Sequence, residues 1–491
     1  MDSARRELNQ NPGGHPRIVP VFAELPLPAY PPADLYASLR EGPGFLLESL
    51  EGGGRCARYS FICTAPAATV AVTSDGLVTV SGDPRLREIA ADIEAADAVD
   101  AVRSFMGRFR AVPAPLPPFS GGLAGYFSYD LVSSIYPTIR QTVVEEPVAR
   151  FMLALDCLAL DHQRERLAVI RNLLITDEDD AEEEYARATD AVVEQAARIR
   201  DLSPARPADP DPRVRVAASS SCTADEFSGA VLRIKEHIAA GDILQAVLSR
   251  RLSCRIEGDS FGVYRRLRAR NPSPYMFYLD FGDLAVAGSS PEMLLRVERG
   301  RVTTVPIAGT RPRGSTPAED DRLAAELLAD EKERAEHIML VDLARNDIGA
   351  VSAFGSVSVE GFMDVERFSH VQHIASTVSG TLREGCDRFD ALRSCFPAGT
   401  VSGAPKVRAM QVISEVEGLR RGIYAGAAGY IGFSGTMDLA IAIRTVVVQD
   451  SIASVQVGAG IVADSDPGQE WIETESKGRA MLAALGAVEV Q

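Results

Sequence analysis

Two Glu-x-x-Glu pairs are the residues of this chain best suited to do chemistry: Glu333 and Glu336 in DEKERAEHIML, and Glu470 and Glu473 in DPGQEWIETESK. Each pair falls on a segment with helical character, where a spacing of three turns both carboxylates to one face. Four carboxylates with no cysteine or histidine ligand set suit a hard cation. Mg2+ in particular takes one or two carboxylates and keeps places for water and an anionic substrate. The plainer alternative is a pair of solvated helix faces, and spacing alone favours it. The rest of the chain decides between the two.

An anionic substrate needs donors or positive charge, and several segments offer them. Gly458-Ala459-Gly460 closes a strand-like run just before the second glutamate helix, where glycines let backbone N–H groups gather round a carboxylate as a nest. The run Gly399-Thr400-Val401-Ser402-Gly403-Ala404-Pro405-Lys406 fails the phosphate-loop pattern, because Ala-Pro separates the second glycine from the lysine. It still offers hydroxyls, amides and an ammonium at a helix start. Arg444 interrupts an apolar strand, LAIAIRTVVV, so its charge needs a structural acid or a substrate carboxylate held by a bidentate clamp. His373, in VQHIASTVSG, reads on its own as a core histidine. Together these features suit a small molecule bearing more than one carboxylate, one of them polarised by the metal.

The elements that position these residues follow from local signals. Asp330 and Glu333 form a capping box that opens the first glutamate helix, and Asp466 with Pro467 is an N-cap and first-turn pair for the second, which runs to about Gly486. Thr223 and Glu226 cap a further helix, whose face Phe227, Val231, Ile234 and Ile238 ends at Gly241. Strand character marks ILQAVLSRRLSCRI, LAVAGSS, RVTTVPI, LAIAIRTVVVQ and IASVQVGAG. Strands and helices do not alternate as in a doubly wound sheet, so the fold class is α+β with large antiparallel sheets. The proline-rich run within residues 201–220 separates an N-terminal segment, 17–200, from a C-terminal one, 221–489, and residues 1–16 read as a disordered lead-in.

Bulk composition narrows the function classes. A net charge of −17 leaves no basic stripe for nucleic acid, so an anionic substrate needs a local positive site. Seven cysteines, odd in number and without C-x-x-C spacing, fit reduced thiols in a cytoplasm. No apolar run approaches the length of about 18 residues that a membrane helix needs.

Six long words, GDILQAVLSRR, GSSPEML, PIAGTRPRG, EHIMLVDLARNDIG, FPAGTVSGAPKVRAM and GAGIVADSDPGQEWIETESK, occur here in an order that resembles the chorismate-utilising enzymes, most closely the large subunits of anthranilate synthases. The resemblance runs from about residue 45 to the C-terminus and implies two large, mostly antiparallel sheets packed as a sandwich with helices outside. It implies Mg2+ on Glu336 and Glu473, with Glu333 and Glu470 supporting through water. The ring carboxylate of chorismate would lie beside the Ala308-Gly309-Thr310 turn. Tyr424, Arg444 and the Gly458-Ala459-Gly460 segment would hold the enolpyruvyl carboxylate, with Thr400 and Lys406 lining the same pocket. Glu292 matches the general acid for the departing ring hydroxyl, a role that requires a raised pKa. His373 matches an active-site histidine whose part in the elimination stays open.

Gln245 discriminates within the family. Relatives that add water carry a lysine there as base, which glutamine cannot replace; ammonia needs no such base. Ala308 stands where enzymes making aminodeoxychorismate carry a lysine, which favours anthranilate with loss of pyruvate. Leu47-Glu48-Ser49 and Asn271-Pro272-Ser273-Pro274-Tyr275-Met276 resemble the tryptophan feedback site, with an acid for the amino group and Pro, Tyr and Met for the indole. No segment resembles a glutamine amidotransferase, so ammonia would come from a separate glutaminase subunit in a heterotetramer of two large and two small subunits, or from free ammonium. Aminodeoxychorismate synthase and a non-catalytic, tryptophan-binding homologue are the alternatives; an isochorismate or salicylate synthase is disfavoured by Gln245.

Overall fold

A computed structural model describes residues 15–50, 58–139, 146–176, 179–202, 213–214, 218–368 and 371–486. The lead-in as far as residue 14 and most of the 201–220 connection lie outside them. Ten strands and three helices carry the sites: β1 (Gly44–Glu48), β2 (Gln245–Glu257), β3 (Tyr275–Asp280), β4 (Leu284–Ser290), β5 (Met293–Glu298), β6 (Ile307–Pro312), α1 (Glu331–Gly349), β7 (Val371–Thr381), α2 (Lys406–Val416), β8 (Met437–Ile441), β9 (Thr445–Gln449), β10 (Ile452–Ile461) and α3 (Pro467–Leu485).

Among the described residues the strands form two sheets, one of 14 strands and one of 11. The larger has the path Arg213–Val214, β2, β10, β9, β4, β3, β1, Tyr59–Cys63, Asp156–Asp161, Arg166–Ile175, Arg17–Pro26, Arg110–Ala111. The smaller runs β6, β7, Arg301–Thr304, β5, β8, Ala427–Gly432, Gly122–Phe127, Ala149–Ala154, Ala68–Val72, Val78–Gly82. Each sheet is therefore completed by strands from both halves of the sequence, the earlier half at one end and the later half at the other.

Alternation builds the sandwich. On β1, Phe45 and Leu47 enter the core between the sheets with Phe61, Phe277 and Tyr430, while Leu46 points to the outer layer. Outside the larger sheet pack the helices Ala181–Asp201, Ser260–Arg270 and α3; outside the smaller one pack Ala98–Gly107, Arg388–Cys395 and α1. The α+β sandwich with helices outside is thus observed. No helix among the described residues is long and apolar enough to cross a membrane, and the six described cysteines are all free.

The caps behave largely as the sequence indicates. Thr223 and Glu226 form a full capping box. Asp330 caps α1 by accepting from the Lys332 and Glu333 N–H groups, without the reciprocal half of a box. Asp466 caps α3 by accepting from the Gln469 N–H at 2.9 Å, and Gly486 ends it in the left-handed conformation.

One expectation fails. LAIAIRTVVVQ is not a single strand: β8 ends at Ile441 in the smaller sheet and β9 begins at Thr445 in the larger. Arg444 sits at the crossing with φ of 49°. Both halves are apolar and mostly buried, so the hydropathy pattern carries no mark of the change of sheet. Asp466→Ala removes the bond that starts α3 and is expected to lower stability by about 1 kcal/mol, measured as a fall in the urea midpoint at unchanged slope.

Candidate active site

Two strand connections change sheet side by side. One passes from β4 through Pro291 and Glu292 into β5, the other from β8 through Arg444 into β9. Backbone bonds stitch them, the Ile441 N–H donating to Glu292 O at 3.0 Å and the Ser289 N–H to Arg444 O at 3.1 Å. Glu292 is 6% exposed. Burial pushes its carboxyl up to about 8, against the opposing pull of the Thr400 hydroxyl, the Ile307 N–H and the Arg444 charge. It is therefore a protonated acid at neutral pH beside a cation that favours its ionised form, which suits a proton donor.

His373, on β7, is buried. Its Nδ1 lies 2.8 Å from Gly309 O and 3.1 Å from Thr310 Oγ1. The carbonyl can only accept, so Nδ1 carries the proton and Nε2 is left as a buried acceptor without a protein partner. Desolvation lowers the imidazole pKa to about 4, which keeps the ring neutral. The Ala308-Gly309-Thr310 turn is a bulge in β6, with Gly309 at φ +65°. A side chain at Gly309 would meet Leu327 at 2.9 Å and the Glu333 carboxylate at 3.1 Å, so this turn lies directly against the first glutamate pair.

The glutamates line up across α1 and α3. Glu336 accepts from Gln245 Nε2 at 3.1 Å, and Gln245 is itself buried at the start of β2. Glu333 meets Arg311 at 3.2 Å, and Glu473 meets Lys477 at 2.6 Å. The Glu336 pKa is raised, first by burial and then by Glu333 and Glu473; that of Glu470 is raised by burial and Glu473. The pairs therefore feel one another, but among the described residues they do not close into a metal cage. Carboxylates repel, and each turns to its nearest protein donor. The donor set still fits Mg2+: oxygen only, mutually repelling, and with no more than two carboxylates needed.

Two other expectations change. Gly458-Ala459-Gly460 is no nest, because it lies in β10 paired with Val247, Leu248 and Ser249. What its glycines supply is room: a Cβ at Gly458 would meet the Tyr424 hydroxyl at 2.6 Å, and one at Gly460 would meet Gln245 Nε2 at 2.6 Å. Lys406 begins α2, but its ammonium binds Asp347 of α1 at 2.7 Å and faces the carbonyls of Ser394 and Cys395. A buried ammonium must be neutralised, and here a protein acid does it. Thr400 stands beside Glu292 and lines a cavity with it.

Sequence reading passed over Asp347, Glu417 and Arg421. Arg421 is buried, holds both Glu417 oxygens, and donates to Val401 O at 2.7 Å and Val247 O at 2.6 Å beneath the Tyr424 ring. It thereby joins the Thr400 turn to the Gln245 strand. Its only signal was a Glu-x-x-x-Arg spacing, which ordinarily marks an exposed helix pair.

A second site lies between the sheets, in a cavity of about 860 Å3. Leu47, Glu48, Ser49, Pro274, Tyr275 and Met276 line it, whereas Asn271, Pro272 and Ser273 do not. Asn271 and Ser273 brace it instead: Ser273 O accepts from the Leu50 N–H at 3.2 Å, and the Ser289 hydroxyl donates to Asn271 O. Glu48 is already engaged by the Tyr264 hydroxyl and by Arg268 at 3.0 Å, so it is not a free partner for an amino group. The Ser49 hydroxyl is buried without a partner.

Residues 45–483 match the family of chorismate binding enzymes. The chain is 44% identical to anthranilate synthase component 1 of Aquifex aeolicus, over 99% of this chain and 97% of that protein. Its fold matches the crystal structure of anthranilate synthase component I from Streptococcus pneumoniae, with a TM-score of 0.72, 37% identity, and coverage of 88% of this chain and 95% of that one. The menaquinone-specific isochorismate synthase of Escherichia coli shares the fold at 19% identity, with a TM-score of 0.73 and coverage of 99% and 98%.

The raised Glu292 pKa has a stability consequence with a definite sign. The folded chain holds this proton until about 8, against an ordinary 4.5, so the linked stability is full below 4.5 and is lost as pH rises towards 8. Glu292→Gln carries no such linkage. It should melt with the parent near about pH 5 and above it near about pH 9; superimposed melting curves at both values would show Glu292 to be ionised throughout.

Proposed function

The chain belongs to the chorismate binding enzyme family, and from that premise we propose that it converts chorismate and ammonia to anthranilate, pyruvate and water. The observation that carries this reading is the Gln245–Glu336 pair. A buried amide, already committed to the glutamate face, stands where attack by water would require a base. Ammonia brings its own lone pair. Ala308 in the neighbouring turn offers no lysine for a covalent adduct, which supports loss of pyruvate over retention of the side chain.

Each residue then has a task. Glu336 and Glu473 would hold Mg2+, with Glu333 and Glu470 supporting through water; bound there, the ion neutralises the facing carboxylates and binds the ring carboxylate of chorismate. Gly309 and Thr310 flank that carboxylate, and the room left by Gly458 and Gly460 admits the enolpyruvyl group between Tyr424 and Arg444. Glu292 gives its proton to the departing ring hydroxyl as ammonia bonds to ring C2. The new C2 ammonium gives up one proton to solvent. His373 Nε2, neutral and desolvated, then takes the C2 proton as the C3–O bond breaks and the ring becomes aromatic. The departing enolpyruvate takes a proton at its methylene carbon to become pyruvate. Lys406 acts through Asp347 and the fold around Thr400 rather than on substrate. Ammonia is supplied by a glutaminase subunit in a cytoplasmic heterotetramer. Tryptophan fills the inter-sheet cavity, its indole against Pro274, Tyr275 and Met276, and its polar end meets Ser49 instead of the occupied Glu48.

Purified chain with chorismate, Mg2+ and ammonium should yield anthranilate fluorescence and pyruvate in equal amounts. An amino product without pyruvate would move the reading to aminodeoxychorismate synthesis. Glu336→Gln and Glu473→Gln should each cut turnover by about 100-fold or more while the fold survives; near-parental turnover in either would sink the metal assignment. Ser49→Phe should keep turnover and weaken tryptophan inhibition about tenfold or more, a change of about 1.4 kcal/mol. An unchanged inhibition curve would put the regulatory site elsewhere.

A further inference from the structure

A small cavity of about 30 Å3 lies between α1 and the Glu292 crossing, with Glu292, Thr304, Thr400 and Asp347 among its polar walls and Pro306, Leu340 and Ala344 among its apolar ones. One water needs about 10–15 Å3 of such space and two to four polar partners, so the cavity has room and chemistry for a water chain of one or two molecules. The Thr400 hydroxyl is buried, close enough to Glu292 to lower its pKa, yet makes no hydrogen bond of ordinary geometry.

Asp347 has two faces. Its side chain is 18% exposed, and it also lines the cavity. Lys406 Nζ holds one of its oxygens at 2.7 Å. The other titratable groups facing it are Tyr136 and Cys395. Glu292, by contrast, faces Arg444, the Thr400 hydroxyl and the Ile307 N–H and is almost wholly withdrawn from solvent. An acid so placed can give its proton once; to work again it must be reprotonated through the protein.

We propose that Asp347 and water in this cavity form the proton inlet of the active site, returning to Glu292 the proton spent on the departing hydroxyl. This rests on the amination reading above. The step moves one proton and breaks no other bond. An O–H bond forms on the Glu292 carboxylate as a cavity water gives up its proton; that water takes one from Asp347, which draws its own from bulk solvent at its exposed edge. Thr400 orients the water between the two carboxyls. Lys406 keeps Asp347 in place and prevents it from retaining the proton. Asp347 is thus a positioning and relay residue that acts through Glu292, without touching substrate.

The test uses the full chain with saturating chorismate and ammonium. Asp347→Asn removes the relay proton. Ala344→Val fills the cavity without altering a charge, and Ala344→Ser leaves a hydroxyl in it. For Asp347→Asn and Ala344→Val the expected result is a chorismate KM within about twofold of the parent, kcat lower by about tenfold, a gap of about 1.4 kcal/mol, and a solvent deuterium isotope effect on kcat larger than the parent's. Ala344→Ser should recover most of the rate. A folded Ala344→Val enzyme with parental kcat and isotope effect would overturn the inlet, and so would a crystal structure of the parent lacking water between Glu292 and Asp347. Asp347→Asn leaves Lys406 without its counter-charge, so if it fails to fold, Ala344→Val and the crystal structure decide. If the parent consumes chorismate without forming anthranilate, the amination reading fails, and the inlet is then judged on chorismate consumption.

Discussion

Two strands that change sheet at the same place constrain everything else in this molecule. A sandwich core is apolar, and a polar group inside it must be paired or pay for its desolvation. The chain brings Glu292 and Arg444 together where two pairs of neighbouring interior strands end, at the two crossings, and stitches them through Ile441 and Ser289. At the crossings the ladder is interrupted, the backbone turns, and Arg444 takes a φ of 49° that a continuous strand would forbid. The geometry of the candidate site and the topology are therefore one feature. Without the Arg444 crossing β8 would run on into β9, and without the Glu292 crossing β4 would run on into β5 and leave no place for the acid.

Around that point the protein spends buried charge on rigidity. Arg421 and Glu417 are almost fully buried, with side-chain exposures of 1% and 2%. A pair of this kind adds little net stability, whereas loss of one partner costs about 3–5 kcal/mol. Its value lies in what it ties: Val401 beside Thr400, and Val247 two residues from Gln245. The Lys406–Asp347 pair does the same for α2 and α1. The carboxylate face between α1 and α3 is the opposite case. Glu336 and Glu470 each feel Glu473, and the protein meets this face with little: the buried Gln245 amide on Glu336 and the exposed Lys477 ammonium on Glu473. One face is locked and the other is poised for added positive charge, which is the asymmetry expected where a divalent ion and a dicarboxylate meet.

Much of this was legible in the sequence because it is local. The caps at Thr223, Asp330 and Asp466 and the two Glu-x-x-Glu helices depend on spacings of three or four residues, which sequence displays directly. The large antiparallel sheets came from strand-like runs that do not alternate with helices, and the sandwich and the candidate catalytic set from long ordered words. What was not legible is non-local. Nothing in LAIAIRTVVVQ says that its two halves join different sheets. Nothing in GAG says that it lies extended in a ladder with β2, so the expected nest is instead a place where missing side chains leave room for neighbours. Glu48 was read as a free acid, because the arginine that occupies it lies 220 residues away. Asp347 was missed for the same reason, its partner Lys406 lying 59 residues away. Arg421 was missed because its i,i+4 pairing with Glu417 looks like an exposed helix pair, while the carbonyls it ties, Val401 and Val247, are distant.

The two cavities lie at opposite ends of β5, the small one against Met293 and Leu294 and the large one against Arg296, Val297 and Glu298. The Tyr275 hydroxyl, in the wall of the large cavity, donates to Asp438 of β8 at 3.0 Å, and Arg296 of β5 holds the same carboxylate at 2.8 Å. From Tyr275 the path through its ladder partner Ser290 reaches Glu292 two residues on; from Asp438, β8 leads to Arg444. Adjacency alone is not coupling, which requires an element with two arrangements that both ligands bias. The magnitudes are nevertheless commensurate. A tenfold effect on substrate binding needs about 1.4 kcal/mol, and one hydrogen bond to a charged group is worth about 1.5–3 kcal/mol. A ligand that drew the Tyr275 hydroxyl away from Asp438 would therefore command enough free energy to shift the spacing of Glu292 and Arg444, with no longer pathway needed. The sheet crossings that build the candidate site are thus joined, through the Tyr275–Ser290 ladder and through β8, to residues that line the inter-sheet cavity.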